Sequence, residues 1–266
     1  MGYGSDFMPW VDRYVEFEGM TEEELKKIEE EHKKTLEEIY LLLALLWLRM
    51  GDNINLGKAL IVGLDSTRAN IHSNVDKLYD NAISSSITVY LPSIYKRGYE
   101  DALNRLPSSF KSNKMLPYQT DEFVAGQLNL RWAGDGKLYS DRIWEHKAQL
   151  KTAMDRIIHE SITAGRDIKM TSKDFAQTMG SSYSNAERLV RTETNYVLNQ
   201  SELQVLKDTG VEKYEYIAYL DRRTSSICRH TDGKVFLTSQ ATVGVNYPPL
   251  HPNCRSTVAP FIDLDD

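Results

Sequence analysis

The chain has 266 residues, of which 41% are hydrophobic and 26% charged, and it carries a formal net charge of −6. That length supports one or two domains with a real core, and the acidic balance argues against a dedicated nucleic-acid binder, which needs a surplus of Lys and Arg. Two cysteines, Cys228 and Cys254, are too few for a disulfide framework, so a reducing compartment is the default.

The N-terminal "MGYGSDFMPW" has no basic stretch followed by an apolar core, unlike a signal peptide. Thr21-x-x-Glu24 has the form of a capping box, predicting a helix start there. Leu25, Ile28, Leu36, Ile39, Leu43 and Leu46 follow at helical period, with a gap near His32 and a stop at Gly51-Asp52. Residues 22–38 carry eight acidic and four basic side chains, so this half is expected to face solvent or a partner. The second half, with the run Ile39–Leu48, is about half of what a spanning helix needs. It predicts a buried helix and no membrane contact.

A second helical stretch is expected over 56–83 and a third over 84–106, bent or broken at Pro92. Residues 107–120 read as a linker. Lys96, Arg97, Arg105, Lys111 and Lys114 outnumber Glu100 and Asp101, a run that reads as a solvated face or a weak DNA contact. Helical period resumes from Ser140 to Gly165. A short helix is expected from Thr171 to Gly180, and another from Ser184 to Gly210. "KYEYIAYL" from Lys213 alternates as a strand, Asp232-Gly233 signals a hairpin turn, and Val235–Leu237 is the returning strand. The expected fold is mostly α: an elongated helical body with a small C-terminal β-containing (α+β) unit. The expected division is 1–120 as a helical region and 121–266 as the domain holding the β hairpin.

The chemistry gathers at the C-terminal end, in Asp221, Cys228, His230, Asp232, His251 and Cys254. Cys228-x-His230 and, twenty residues on, His251-x-x-Cys254 offer four ligands of the kind a tetrahedral structural zinc prefers, with Asp232 as an alternative oxygen ligand. On a strand, Cys228 and His230 would face the same side. A Cys/His hydrolase is a second reading, but the local signatures of catalytic cysteines and serines are missing. A third is a proline-stiffened clasp at Pro248, Pro249 and Pro252, with Cys254 as a small buried hydrophobe. A Cys228–Cys254 disulfide is a fourth. Arg188 and Arg191 share a helix face and are expected to pair with carboxylates.

Arg191-Thr192-Glu193, Asp221, Cys228, Asp232-Gly233 and "PPLHPNCR" at Pro248–Arg255 together resemble the phage Mu F-like head morphogenesis family. The resemblance is specific over about 184–262 and extends back to about 130; residues 1–120 hold no motif that anchors it. Where many relatives have a further cysteine after the arginine, this chain has Ser256. The resemblance implies a non-enzymatic minor head (minor capsid) protein of the virion, built into the phage head in small numbers. It implies portal association, contacts with capsid and scaffold subunits, oligomerisation around the portal, and a role in assembly or genome delivery. The location it implies is the head interior, and the host cytoplasm during assembly.

Overall fold

The computed structural model describes residues 8–52, 54–111 and 120–262. Its first helix, α1 (Met8–Met50), begins well before Thr21. The Thr21 hydroxyl bonds to Phe17 O (2.8 Å) and Tyr90 OH (2.9 Å), and Glu24 pairs with Lys27 (2.8 Å). The expected capping box is not formed, because it needs the free N–H groups that only a helix end offers. The other end follows the sequence: Gly51 takes φ 60° and its N–H reaches Trp47 O.

Along the described residues follow α2 (Leu56–Val62), α3 (Leu64–Lys77), a π-helical turn (Leu78–Ser84), α4 (Ser85–Arg105), α5 (Ser108–Lys111), α6 (Asp121–Leu128), α7 (Tyr139–Thr163) and α8 (Ile168–Thr209). The C-terminal part holds β1 (Lys213–Ile217), α9 (Ser226–Thr231), β2 (Val235–Leu237) and β3 (Thr257–Phe261). The protein is therefore mostly α with a small antiparallel sheet, as the sequence predicts. No helix among the described residues is long and apolar enough to cross a membrane.

Several boundaries differ from expectation. Gly63, at φ 109°, splits the 56–83 stretch into α2 and α3. The α4 helix runs through Pro92 without a break. Part of the expected linker folds as α5, and 112–119 lie outside the described residues. The two helices expected over 171–210 are one: α8 continues through Gly180. A helical glycine costs only about 1 kcal/mol relative to alanine, and burial of Phe175, Met179 and Ser182 around it outweighs that. Asp167, not Thr171, starts this helix, its Oδ1 accepting from Met170 N at 2.8 Å.

Two compact units divide the chain: Glu24–Ile87 with Ser140–Glu187, and Met1–Glu23 with Thr88–Tyr139 and Arg188–Asp266. The first is all helical. On α1 the buried stripe is Leu25, Ile28, His32, Thr35, Ile39, Leu43 and Leu46, so His32 and Thr35 fill the gap in the apolar pattern. Leu36 is half-buried. The apolar second half is not buried all round, since Leu41, Leu45 and Leu48 are exposed. Lys147 of α7, itself buried, pairs with Asp80 (2.8 Å) and Asp76 (3.4 Å); Arg68 and His72 of α3 both meet Asp155 at 3.0 Å.

The second unit holds the sheet, in the order β2-β1-β3. Tyr214 of β1 stands opposite Phe236 on one side and Pro260 on the other. Pro260 is tolerated because β3 is an edge strand, where a missing N–H need not break a ladder. One core cluster packs Tyr99 and Ala102 of α4, and Leu106 just past its end, with Leu203, Val205 and Leu206 of α8 against Tyr214, Tyr247 and Val258. Val235–Leu237 returns antiparallel to β1 as expected, but in place of a tight hairpin at Asp232-Gly233 residues 218–234 carry α9 between the two strands. In the basic run, Lys96 pairs with Asp121, Arg97 with Glu16 (2.5 Å) and Arg105 with Asp101 (3.0 Å). The Lys111 side chain and Lys114 lie outside the described residues.

Candidate metal centre

From Thr192 to Leu203 every residue of α8 is buried, polar ones included. A helix buried on all faces must hydrogen-bond its polar side chains within the protein. Here several of them go to the C-terminal segment. Asn195 Nδ2 and Asn199 Nδ2 both donate to Ser256 O, at 3.0 and 3.2 Å. The Thr192 Oγ1 accepts from Asn253 N at 2.9 Å, and Tyr247 OH donates to Asn199 O at 2.7 Å. Glu193 accepts from Trp132 Nε1 (3.2 Å), and Trp132 stacks on Tyr196 at 4.8 Å. Arg191 meets Glu22 at 2.6 Å, the carboxylate pairing its position predicted.

The segment held there is "HPNC". Cys254 N donates to His251 O (3.2 Å), closing a four-residue turn. Pro252 suits the second position because its φ is fixed, and Asn253 at φ 58° suits the third, where Asn is among the few side chains tolerated. This is the geometry of a type II turn, and it brings His251 and Cys254, at the turn's two ends, to one place. Beside it, Arg255 grips Asp221 with both guanidinium nitrogens (2.7 and 2.5 Å) and lies 4.9 Å from the Tyr219 ring. The Arg255 bonds, with the Arg223 N–H and the Thr224 hydroxyl, hold the Asp221 carboxyl well below the usual range.

Cys228 arrives from the other side, on α9. Ser225 caps this short helix, its Oγ accepting from Cys228 N at 3.3 Å. Cys228 Sγ lies 3.1 Å from His251 Nε2 and 3.7 Å from Cys254 Sγ. Both thiols are free and 2% exposed, and His251 is half-buried. The three ligand atoms lie within 4.8 Å of one another. Tyr216 OH donates to Cys228 Sγ (3.3 Å), Ser225 Oγ is 2.7 Å from His251 Nε2, and the Ser256 hydroxyl bonds Cys228. His251 Nδ1 is 2.7 Å from Pro252 O. A carbonyl only accepts, so Nδ1 donates to it, and Nε2 is the ring nitrogen turned toward Cys228 Sγ. The Cys254 thiol hydrogen-bonded to Cys228 holds the Cys228 thiol low; the same bond and burial push Cys254 up.

Of the six sequence candidates, the structure brings Cys228, His251 and Cys254 together and leaves the others apart. His230 is exposed, because Cys228 and His230 sit on a helix rather than a strand, and residues two apart on a helix point to different sides. Asp232 caps that helix and accepts from Ala218 N at 2.8 Å, while Asp221 serves Arg255. Sequence reading missed Thr192, Asn195 and Asn199 as the supports of the turn. Their signal was a run of polar residues on a helix face that periodicity marks as core.

No curated protein and no solved structure matches the chain. Residues 152–259 match the family model described as Phage Mu protein F like protein, which spans the buried part of α8, Asp221, Cys228 and the whole of the His251–Cys254 turn. Over these residues, less than half of the chain, it is similar to the phage Mu F-like family, which points to phage head morphogenesis.

Proposed function

We propose that the protein is a non-enzymatic minor head protein of a tailed phage, portal-associated and acting in head assembly or genome delivery. The family match over 152–259 carries this reading. Its partners are the portal and the capsid or scaffold subunits, and its place is the head interior. The apolar face on α1 supports an assembly role: Leu41, Leu45 and Leu48 recur along one side and are 66%, 49% and 78% exposed. Exposed leucines in a row are the mark of a surface that another protein covers. On α2, Leu60 and Ile61 are exposed as well. The non-enzymatic reading draws support from burial of both thiols, since a nucleophile must reach its substrate. The ion pairs along Lys96, Arg97 and Arg105 weigh against strong DNA contact.

The experiment is co-expression with the portal, capsid and scaffold proteins of the same phage, followed by isolation of heads on a gradient. The wild-type chain is expected in heads at low copy number. A Leu41→Ser, Leu45→Ser, Leu48→Ser variant is expected to keep its helical circular dichroism and drop out of the heads. Heads that form normally and contain none of the wild-type chain would overturn the proposal.

A further inference from the structure

Three observations converge on the space between α9 and the His251–Cys254 turn. First, the donor set is two thiols and an imidazole nitrogen, the soft and borderline ligands that zinc takes. Second, the sulfur–sulfur spacing fits. Two sulfurs each about 2.3 Å from a tetrahedral zinc stand about 3.8 Å apart, and Cys228 Sγ and Cys254 Sγ stand at 3.7 Å. Third, the surroundings are those of a ligand shell. His251 Nδ1 is tied to a carbonyl, which fixes the tautomer and orients Nε2. The backbone N–H groups of Leu250 and Ser256 point to Cys254 Sγ, and Tyr216 OH points to Cys228 Sγ, so each sulfur has donors suited to a thiolate.

We propose that Cys228, His251 and Cys254 bind one zinc ion, which staples α9 to the turn that leads into β3. The hydroxyls of Tyr216 and Ser256 lie against Cys228 and that of Ser225 against His251, and a hydroxyl or a water supplies the fourth ligand. On binding, both thiols lose their protons to solvent. The zinc with two thiolates and a neutral imidazole then carries no net charge, which suits a buried site better than any charged alternative. His230 and Asp232 take no part. The ion is structural: with both sulfurs buried, it joins two segments already in contact through Ser225 with His251 and Cys228 with Cys254.

The test uses the full chain, expressed with added zinc and purified under reducing conditions. Elemental analysis is expected to give about one zinc per chain. Replacing zinc by cobalt(II) is expected to give the visible absorption of a tetrahedral thiolate site. His251→Ala and Cys254→Ala are expected to lower the zinc content well below one, while His230→Ala keeps it. Ser256→Cys, which puts a third thiol beside Cys228, is expected to slow zinc loss to a chelator. Should Cys254→Ala fail to fold, the wild-type and His230→Ala measurements still decide. Folded, reduced wild-type protein with no zinc and no cobalt absorption would overturn the proposal. So would an intact-mass shift on reduction showing a Cys228–Cys254 disulfide in place of two metal-binding thiols, or loss of zinc on His230→Ala.

Discussion

The backbone N–H of Asn253 donates to the hydroxyl oxygen of Thr192 at 2.9 Å, joining the turn that carries His251 and Cys254 to a buried helix sixty-one residues earlier. Thr192 in turn donates to Arg188 O at 2.6 Å, so its hydroxyl is used on both sides. Thr192→Val keeps the shape and leaves the Asn253 N–H without its acceptor, a loss of about 1–3 kcal/mol. Thr192→Ser keeps the oxygen and is expected to lose much less. Urea unfolding of the two variants checks this; equal stability would show that the bond contributes nothing.

Asn253 itself holds a left-handed backbone at φ 58°. A β-branched side chain in that region costs about 1–2 kcal/mol, whereas glycine adopts it freely. Asn253→Gly is therefore expected to melt close to wild type and Asn253→Val several degrees lower. A thermal scan that ranks them the other way would rule out the turn geometry.

Arg255 binds Asp221 through both nitrogens, a fork that lysine cannot reproduce. The bonds from Arg255 hold the Asp221 carboxyl below its unfolded value of about 3.9. A depressed carboxyl stabilises the fold above the unfolded pKa, and that contribution is lost as pH falls toward the folded one. Arg255→Lys is expected to unfold more easily at neutral pH and to lose less on acidification below about pH 4. Urea midpoints collected across that range give the comparison, and parallel curves would argue against the fork.

His32 lies in the helical unit, its ring N–H donating to Ile28 O at 2.8 Å and its other nitrogen 3.5 Å from the Ser182 hydroxyl, which also meets Tyr79 OH. Burial lowers its pKa below 6.5. A base with a lowered folded pKa binds protons better when unfolded, so stability is full above about pH 6.5 and declines as pH falls below it. Replacing His32 by Gln is expected to flatten the dependence between pH 6.5 and the folded value. The check is unfolding free energy against pH for both proteins.

The sequence by itself determined the helical character, the stop at Gly51, and a strand beginning at Lys213, which ends at Ile217 rather than running on to Leu220. Those depend on local pattern: apolar period, glycine at a positive φ and alternation in a strand. The proline-stiffened segment it marked at Pro248–Pro252 holds a tight turn at His251–Cys254, which Pro252-Asn253 suits. What it left undetermined were features decided by partners distant in the chain. Thr21 and Thr171 look like helix starts, but each lies inside a longer helix whose extension rests on burial. β3 shows itself only through pairing with β1. The choice of His251 over His230 followed from the local fold of residues 226–231, which became a helix because Ser225 caps it and Cys228 and Thr231 bury its inner side. Only the tertiary structure could place Cys228 against Cys254, because their approach depends on the buried polar face of α8 that holds the turn in register.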